Sequence, residues 1–278
     1  MSTCGRDAGM ARRHALTKVA LLCACLVSVA GAARAQQSVA DSLAQYRQML
    51  ADDNPAELSE AKGAELWKTP RGPKKATLEQ CDLGAGPGVV KGAYVRLPKY
   101  FADTDLVQDV ESRLVTCLTT LQGFTAEQAG KNPFGANSDM QALVGYVAGQ
   151  SRGFKIAAGA SHPKEAQAIA IGRQIFNYRA GTHDFACATC HGESGKRIRL
   201  QELPDLRAGA DARATYATWP GYRLSQGELR SMQHRLWDCF RQQRFPEIGY
   251  NSEAMIALIA YLAKNAEGGN FAAPAIKR

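Results

Sequence analysis

Residues 185–192 read Phe-Ala-Cys-Ala-Thr-Cys-His-Gly, and the C-x-x-C-H run from Cys187 to His191 restricts the fold more than any other stretch of the chain. Two thiols three positions apart lie on one helical turn, where both can add to the vinyl groups of a single haem. The adjacent imidazole is then placed beneath the iron. The reading is a c-type haem bound through Cys187 and Cys190, with His191 as one axial ligand. The bland alternative is a redox C-x-x-C that happens to precede a histidine. Export, helical flanks and Gly192 argue against it.

The export signal is at the N-terminus. Arg12, Arg13 and Lys18 precede an apolar run from Val19 to Ala30, and Ala33-Arg34-Ala35 supplies a small-x-small cleavage site. That order marks a secretory leader over residues 1–35, and its apolar run is too short to span a bilayer comfortably. No later stretch is long and apolar enough for a membrane span, so the mature chain is expected in the periplasm. The paired Arg12-Arg13 hints at twin-arginine export, but c-type haem is attached outside the cytosol, so an unfolded export route fits better. The leader carries five basic residues and one acid, half of the formal charge of +8. What remains is a mild bias toward small anions or acidic partners. The basic residues are dispersed and no nucleic-acid module is present.

The flanks of the haem motif have helical spacing. Ile169, Gly172, Ile175 and Phe176 share a face in one segment, and Met255, Ile256, Ile259, Tyr261 and Leu262 supply apolar surface in a second, over 252–265. Gly172 is a candidate point of close helix crossing. Both segments recur upstream. Gly63-Ala-Glu-Leu-Trp67 matches Gly172-Arg-Gln-Ile-Phe176 at an offset of 109, and Arg113-Leu-Val-Thr-Cys117 matches Arg235-Leu-Trp-Asp-Cys239 at 122. Ala142-Leu-Val-Gly-Tyr146 matches Ala257-Leu-Ile-Ala-Tyr261 at 115. Three matches in one order indicate a duplication. The fold expected is mainly α, with two cytochrome c-like domains in tandem. A degenerate domain without haem spans 36–150 and the haem-binding domain spans 151–278, joined by the Gly- and Ser-bearing stretch 149–164.

Pairing Cys81 with Cys187 puts Gly84 opposite Cys190 and Ala85 opposite His191, so the first half lacks a thioether cysteine and the iron ligand. One haem per chain follows. Of eight cysteines, Cys4, Cys23 and Cys25 leave with the leader. Cys81 and Cys117, both expected around the first half's crevice, are most economically joined in a disulfide, with two free buried thiols as the alternative. Cys239 is left over. For the second axial position the candidates are Met232, Met255, His234 and Cys239. General frequency favours a methionine, whereas the repeat favours Cys239, because it aligns with Cys117 and no methionine or histidine recurs.

Several further runs resemble one known family. Trp219-Pro-Gly-Tyr-Arg223, Gln233-His-Arg-Leu-Trp-Asp-Cys-Phe240, Gly86-Pro-Gly-Val89 and Leu97-Pro-Lys-Tyr-Phe-Ala-Asp103, with the Cys187 motif, are similar to the SoxA family of the thiosulfate-oxidising SoxAX cytochromes. The departures at Gly84 and Ala85 resemble its single-haem branch. The resemblance implies that Cys239 is both distal haem ligand and catalytic cysteine, often a persulfide, and that Arg235 binds substrate. It implies an L-cysteine S-thiosulfotransferase that couples thiosulfate oxidatively to a cysteine of a SoxYZ-like carrier, with a SoxX-like cytochrome c subunit as partner. Arg235 and Cys239 are four apart, on one face of a helix, and a guanidinium suits an oxyanion. Arg223, Arg241 and Arg244 read as solvated surface. A plain electron-transfer cytochrome and a tetrathionate-forming thiosulfate dehydrogenase are the competing functions.

Overall fold

The computed structural model describes residue 49 and residues 53–130, 138–198 and 201–277; the expected leader lies outside them. Residues 54–278 form one unit. Its helices are α1 (Ala56–Lys68), α2 (Val110–Thr120), α3 (Ala126–Gly130), α4 (Asp139–Gly149), α5 (Pro163–Asn177), α6 (Cys187–His191), α7 (Gly209–Tyr216), α8 (Met232–Gln242) and α9 (Glu253–Asn265). The strands are short: β1 (Lys99–Phe101), β2 (Leu106–Gln108), β3 (Arg197–Ile198), β4 (Gln201–Glu202), β5 (Gly221–Arg223), β6 (Glu228–Arg230) and β7 (Ala275–Lys277). The fold is mainly helical. No described helix is long and apolar enough to cross a membrane.

The duplication is visible in three dimensions. A methyl group on Gly63 would come within 2.0 Å of the Ala142 carbonyl oxygen, and one on Gly172 within 2.0 Å of the Ala257 carbonyl oxygen. Each glycine therefore permits one helix crossing, α1 on α4 and α5 on α9, and any side chain would force the pair apart. Trp67 tilts against Tyr146 with ring centroids 5.8 Å apart, and Phe176 against Tyr261 at 5.3 Å. The second crossing is the deeper one. Residues 255–263 of α9 are all buried, which explains why that helix is apolar almost all round.

The middle of each half obeys the offset of 122 closely. β1 and β2 pair as an antiparallel hairpin, Lys99 opposite Gln108, and β5 and β6 repeat it with Gly221 opposite Arg230. Asp105 and Gly227 hold the left-handed turn position in each, at φ 58° and 67°. The hairpins feed α2 and α8, capped by Asp109 (accepting from Ser112 N at 3.0 Å) and Ser231 (accepting from His234 N at 3.1 Å). The caps also join the halves. Gln233 Nε2 donates to Asp109 Oδ2 at 2.7 Å, and Ser231 Oγ donates to Glu111 Oε1 at 2.9 Å. Asp109 corresponds to Ser231 and Glu111 to Gln233, so each helix cap is bonded to the second residue of the other helix. β7 has no counterpart among the described residues; it adds to β5 in parallel, with Arg223 opposite Lys277.

One register differs from the sequence reading. Arg71 and Ala76 exchange both backbone hydrogen bonds, and so do Ala180 and Phe185; Gly72 and Gly181 have φ 68° and 74° within the two turns. The offset of 109 thus persists to the edge of the haem motif. It sets Leu78 opposite Cys187, Cys81 opposite Cys190 and Asp82 opposite His191. The sequence pairing was three residues out because it was anchored on the cysteine alone, while the hydrogen-bonded turn preceding it fixes the alignment.

Candidate functional site

The turn from Ala180 to Phe185 delivers the chain to α6, where the Ala186 amide donates to Thr189 Oγ1 at 2.9 Å and starts the helix. That single turn carries Cys187, Cys190 and His191, all half-buried. His191 Nδ1 lies 3.0 Å from the Pro204 carbonyl oxygen. A carbonyl can only accept, so Nδ1 carries the proton and Nε2 keeps its lone pair. Leu206 N donates to the His191 carbonyl at 2.9 Å and pins the segment beneath. Burial, above all, lowers the His191 pKa and keeps the ring neutral.

Cys239 sits on α8 and is half-buried with a free thiol, as are Cys187 and Cys190. The three are close enough that Cys239 feels the charge of Cys190 and Cys187 that of Cys239. Burial pushes the Cys239 thiol up, and Arg235, one turn earlier, opposes that most strongly. Arg235 Nη1 is 3.8 Å from Asp238 Oδ2, but that carboxylate is held more tightly by Arg241 at 2.8 Å and Gln242 at 2.6 Å. The donor set fits a c-type haem: two thiols on one turn, an imidazole with its outer nitrogen open, and a thiol on a facing helix. Of the candidates for the second iron ligand, Cys239 is the one placed beside the haem motif.

The other axial candidates lie elsewhere. Met232 borders a small space with Tyr94, Leu97, Asp109 and Glu111, and Met255 is fully buried at the start of α9. His234 is buried with Nδ1 at 3.2 Å from the Tyr250 hydroxyl and 3.3 Å from Arg230, and its pKa is lowered to about 4, by burial first and Arg230 second. In the first half, Cys81 and Cys117 form a disulfide with Cα atoms 5.6 Å apart. It borders a cleft of about 470 Å³ that is also lined by Lys99, Phe101, Asp103 and Arg113.

Arg241 and Arg244 are exposed, as their sequence reading had it, but Arg223 is half-buried. Burial lowers its pKa, and Arg235 lowers it further. The sequence reading missed Lys277 altogether. That ammonium is mostly buried, donates to Thr218 Oγ1 and lies 5.7 Å from the Trp219 ring centre. Its pKa is lowered to about 8 by burial, then by Arg223 and Arg235. Nothing local in the sequence marks it, since it reaches the site through a three-residue parallel strand at the far end of the chain.

Comparison with known proteins gives a consistent result. The chain matches the family described as SoxA/TsdA, cytochrome c domain, over residues 62–156 and 171–271, one block in each half. It is 47% identical over 276 residues to the L-cysteine S-thiosulfotransferase subunit SoxA of Hydrogenophilus thermoluteolus, covering 96% of this chain and 100% of that one. It is 30% identical over 247 residues to a SoxA of the same description from Hydrogenobacter thermophilus, covering 87% and 91%. Among solved structures, SoxXA from P. pantotrophus shares the fold with a TM-score of 0.69 at 23% identity, covering 84% of each chain.

Proposed function

This chain belongs to the SoxA/TsdA cytochrome c family, and from that premise we propose that it acts as an L-cysteine S-thiosulfotransferase, joining thiosulfate to a cysteine of a SoxYZ-like carrier. The near full-length likeness to a SoxA subunit carries the reading, and the pairing of Arg235 with Cys239 at the haem motif supports it. We further propose a periplasmic location, a SoxX-like cytochrome c subunit as partner, and one haem per chain, which Cys187 and Cys190 would hold covalently and His191 and Cys239 would ligate.

The chemistry is a sulfur–sulfur coupling. The outer sulfur of thiosulfate and the carrier's cysteine sulfur form the new S–S bond, the carrier's S–H bond breaks, one proton passes to solvent and two electrons leave. When bound, the haem would take these electrons one at a time and hand each on to the SoxX-like cytochrome c subunit. Arg235 binds the sulfonate end, since a fixed guanidinium matches two oxyanion oxygens. Cys239 presents its sulfur at the meeting point of the two reacting sulfurs. Its burial excludes water, and Arg235 offsets the cost that burial imposes on a thiolate there. Pro204 fixes the tautomer and orientation of the His191 ring, so that Nε2 is the nitrogen that would meet the iron.

Turnover with and without the carrier tests the assignment. Carrier-dependent loss of thiosulfate is expected. Tetrathionate formed from thiosulfate alone would identify a thiosulfate dehydrogenase, and reduction by redox partners with no thiosulfate consumption would identify an electron-transfer protein. Arg235→Ala should keep haem content and lose roughly 30- to 1,000-fold in rate, the usual effect of one positioned charge contact.

A further inference from the structure

The duplication provides an internal control for the charge around Arg235. In the first half, the corresponding Arg113 is neutralised. Its Nη1 pairs with both oxygens of Asp103 at 2.9 and 2.8 Å, its Nε donates to the Asp82 carbonyl at 2.6 Å, and its guanidinium lies 3.9 Å from the Phe101 ring centre. Only 6% of that side chain is exposed. The offset of 122 relates Phe101 to Arg223 and Asp103 to Ser225. In the second half the aromatic platform has become a second cation and the neutralising acid has become a serine. Arg235 is left 36% exposed, with its one acidic neighbour bound to other groups.

A third cation arrives on β7. Arg223 and Lys277 are register partners on adjacent parallel strands, so their side chains leave the sheet on the same face. The remaining charges on that face, Glu228 and Arg230, are paired with each other. Asp238, an acid whose charge acts on Arg223, is held by Arg241 and Gln242. Arg223 and Lys277 therefore stand side by side, both acted on by the charge of Arg235, and among the described residues the one acid paired with any of the three is Asp238, at 3.8 Å from Arg235. Burying such a set is costly unless an anion completes it. The lowered pKa values of Arg223 and Lys277 register that cost.

We propose that Arg223 and Lys277, together with Arg235, form a binding subsite for the sulfonate group of thiosulfate. This rests on the thiosulfate reading above and extends it from one cation to three. Arg235 orients the anion from the helix that bears Cys239, whereas Arg223 and Lys277 hold it from the sheet. The two sheet residues bind the sulfonate in the ground state and the transition state alike. Their removal therefore weakens substrate binding and leaves the chemical step nearly untouched.

The test uses the haem-loaded protein with its partner subunit. Thiosulfate affinity is measured by calorimetry for the wild type, Arg223→Ala, Lys277→Met and Ser225→Asp, with steady-state turnover in parallel. Ser225→Asp restores the first half's acid on an exposed turn, so it perturbs charge without removing packing. Arg223→Ala and Lys277→Met are each expected to bind roughly tenfold more weakly, with KM raised, kcat within about twofold and the haem spectrum unchanged, whereas Ser225→Asp, which re-pairs Arg235, is expected to lose affinity and kcat together with the haem spectrum unchanged. Arg223→Lys and Lys277→Arg should recover most of the affinity. Wild-type affinity in Arg223→Ala, Lys277→Met and Ser225→Asp overturns the subsite, and so does a wild type that does not bind thiosulfate. A wild type that binds thiosulfate without turnover, with binding lost in the variants, fells the enzyme reading and upholds the subsite.

Discussion

Removing the Cys81–Cys117 disulfide, as the Cys81→Ala/Cys117→Ala pair, should destabilise the protein by about 4 kcal/mol while leaving the haem in place. The bond closes a loop with a sequence separation of 36. In the chain-entropy description, a cross-link over a loop of that length removes about 13 cal/mol/K from the unfolded ensemble, or about 4 kcal/mol at 25 °C. For a unit the size of Asn54–Arg278, that corresponds to a fall in Tm of roughly 8–15 °C. The two sulfurs are buried beside the first half's cleft, so truncation also removes packing atoms and the entropic figure is a floor. Guanidinium titration followed by circular dichroism gives the stability, and Soret absorbance in the same samples follows the haem. A mild reductant should shift the wild type toward the variant and leave the variant unmoved. A loss below about 1 kcal/mol would refute the entropic reasoning. Loss of the Soret band in the folded variant would refute the separation of the disulfide from the haem half.

Three further outcomes follow from the same geometry. A pyridine haemochrome titration should return one haem per chain, and two would defeat the degenerate reading of the first half. Cys239→Ala should abolish the thiolate character of the low-spin spectrum together with turnover, whereas Met232→Leu and Met255→Leu should leave the spectrum unchanged; a spectral shift in either methionine variant would reassign the ligand. Glu111→Gln should stabilise the protein increasingly as pH rises above the ordinary carboxyl range. Burial and the neighbouring Asp109 raise the Glu111 pKa well above normal, so the folded state retains a proton that the unfolded state releases, and stability is lost as pH climbs through that window. Gln keeps the acceptor for Ser231 without the charge, and pH-independent melting of the wild type would contradict the assignment.

The parts of this molecule that were legible in the sequence are those where one residue type answers to one physical demand. Gly63 and Gly172 are required because a helix crosses there at carbonyl contact, and the C-x-x-C-H turn is local to five residues. The register of Cys81 was not legible, because the constraint that fixes it is a backbone hydrogen-bonded turn between Arg71 and Ala76 with no shared side chains. Arg223 reads as surface because a three-residue strand has too few positions for alternation to reveal its buried face. Lys277 could not be placed at all: its neighbour Arg223 is 54 residues away and is reached by parallel pairing, which leaves no local signature. The bonds between the caps of α2 and α8 were hidden for the same reason, since each cap is recognisable alone while its partner is in the other half.

The corrected register changes what separates the two halves chemically. Since Leu78, Cys81 and Asp82 stand opposite Cys187, Cys190 and His191, the first half retains the position of the second thioether cysteine and, in Cys117, that of Cys239. It has joined the two in a disulfide. These two sulfurs are bonded to each other, and the loop beside them is drawn inward: the Asp82 carboxylate accepts from Gly84 N at 2.7 Å and Gly86 N at 3.0 Å, and its carbonyl accepts from Arg113. Under the proposed one-haem reading, haem attachment in the first half would take more than supplying a cysteine at 78 and a histidine at 82. Cys81 must also be released from Cys117, and Arg113 would lose the carbonyl it now bonds as the loop moved outward. The disulfide, the neutralised arginine and the folded-in loop depend on one another, and this interdependence gives a physical reason for the first half to serve as a scaffold. In the second half the same three positions remain apart, and the arginine on α8 is left free to meet an anion.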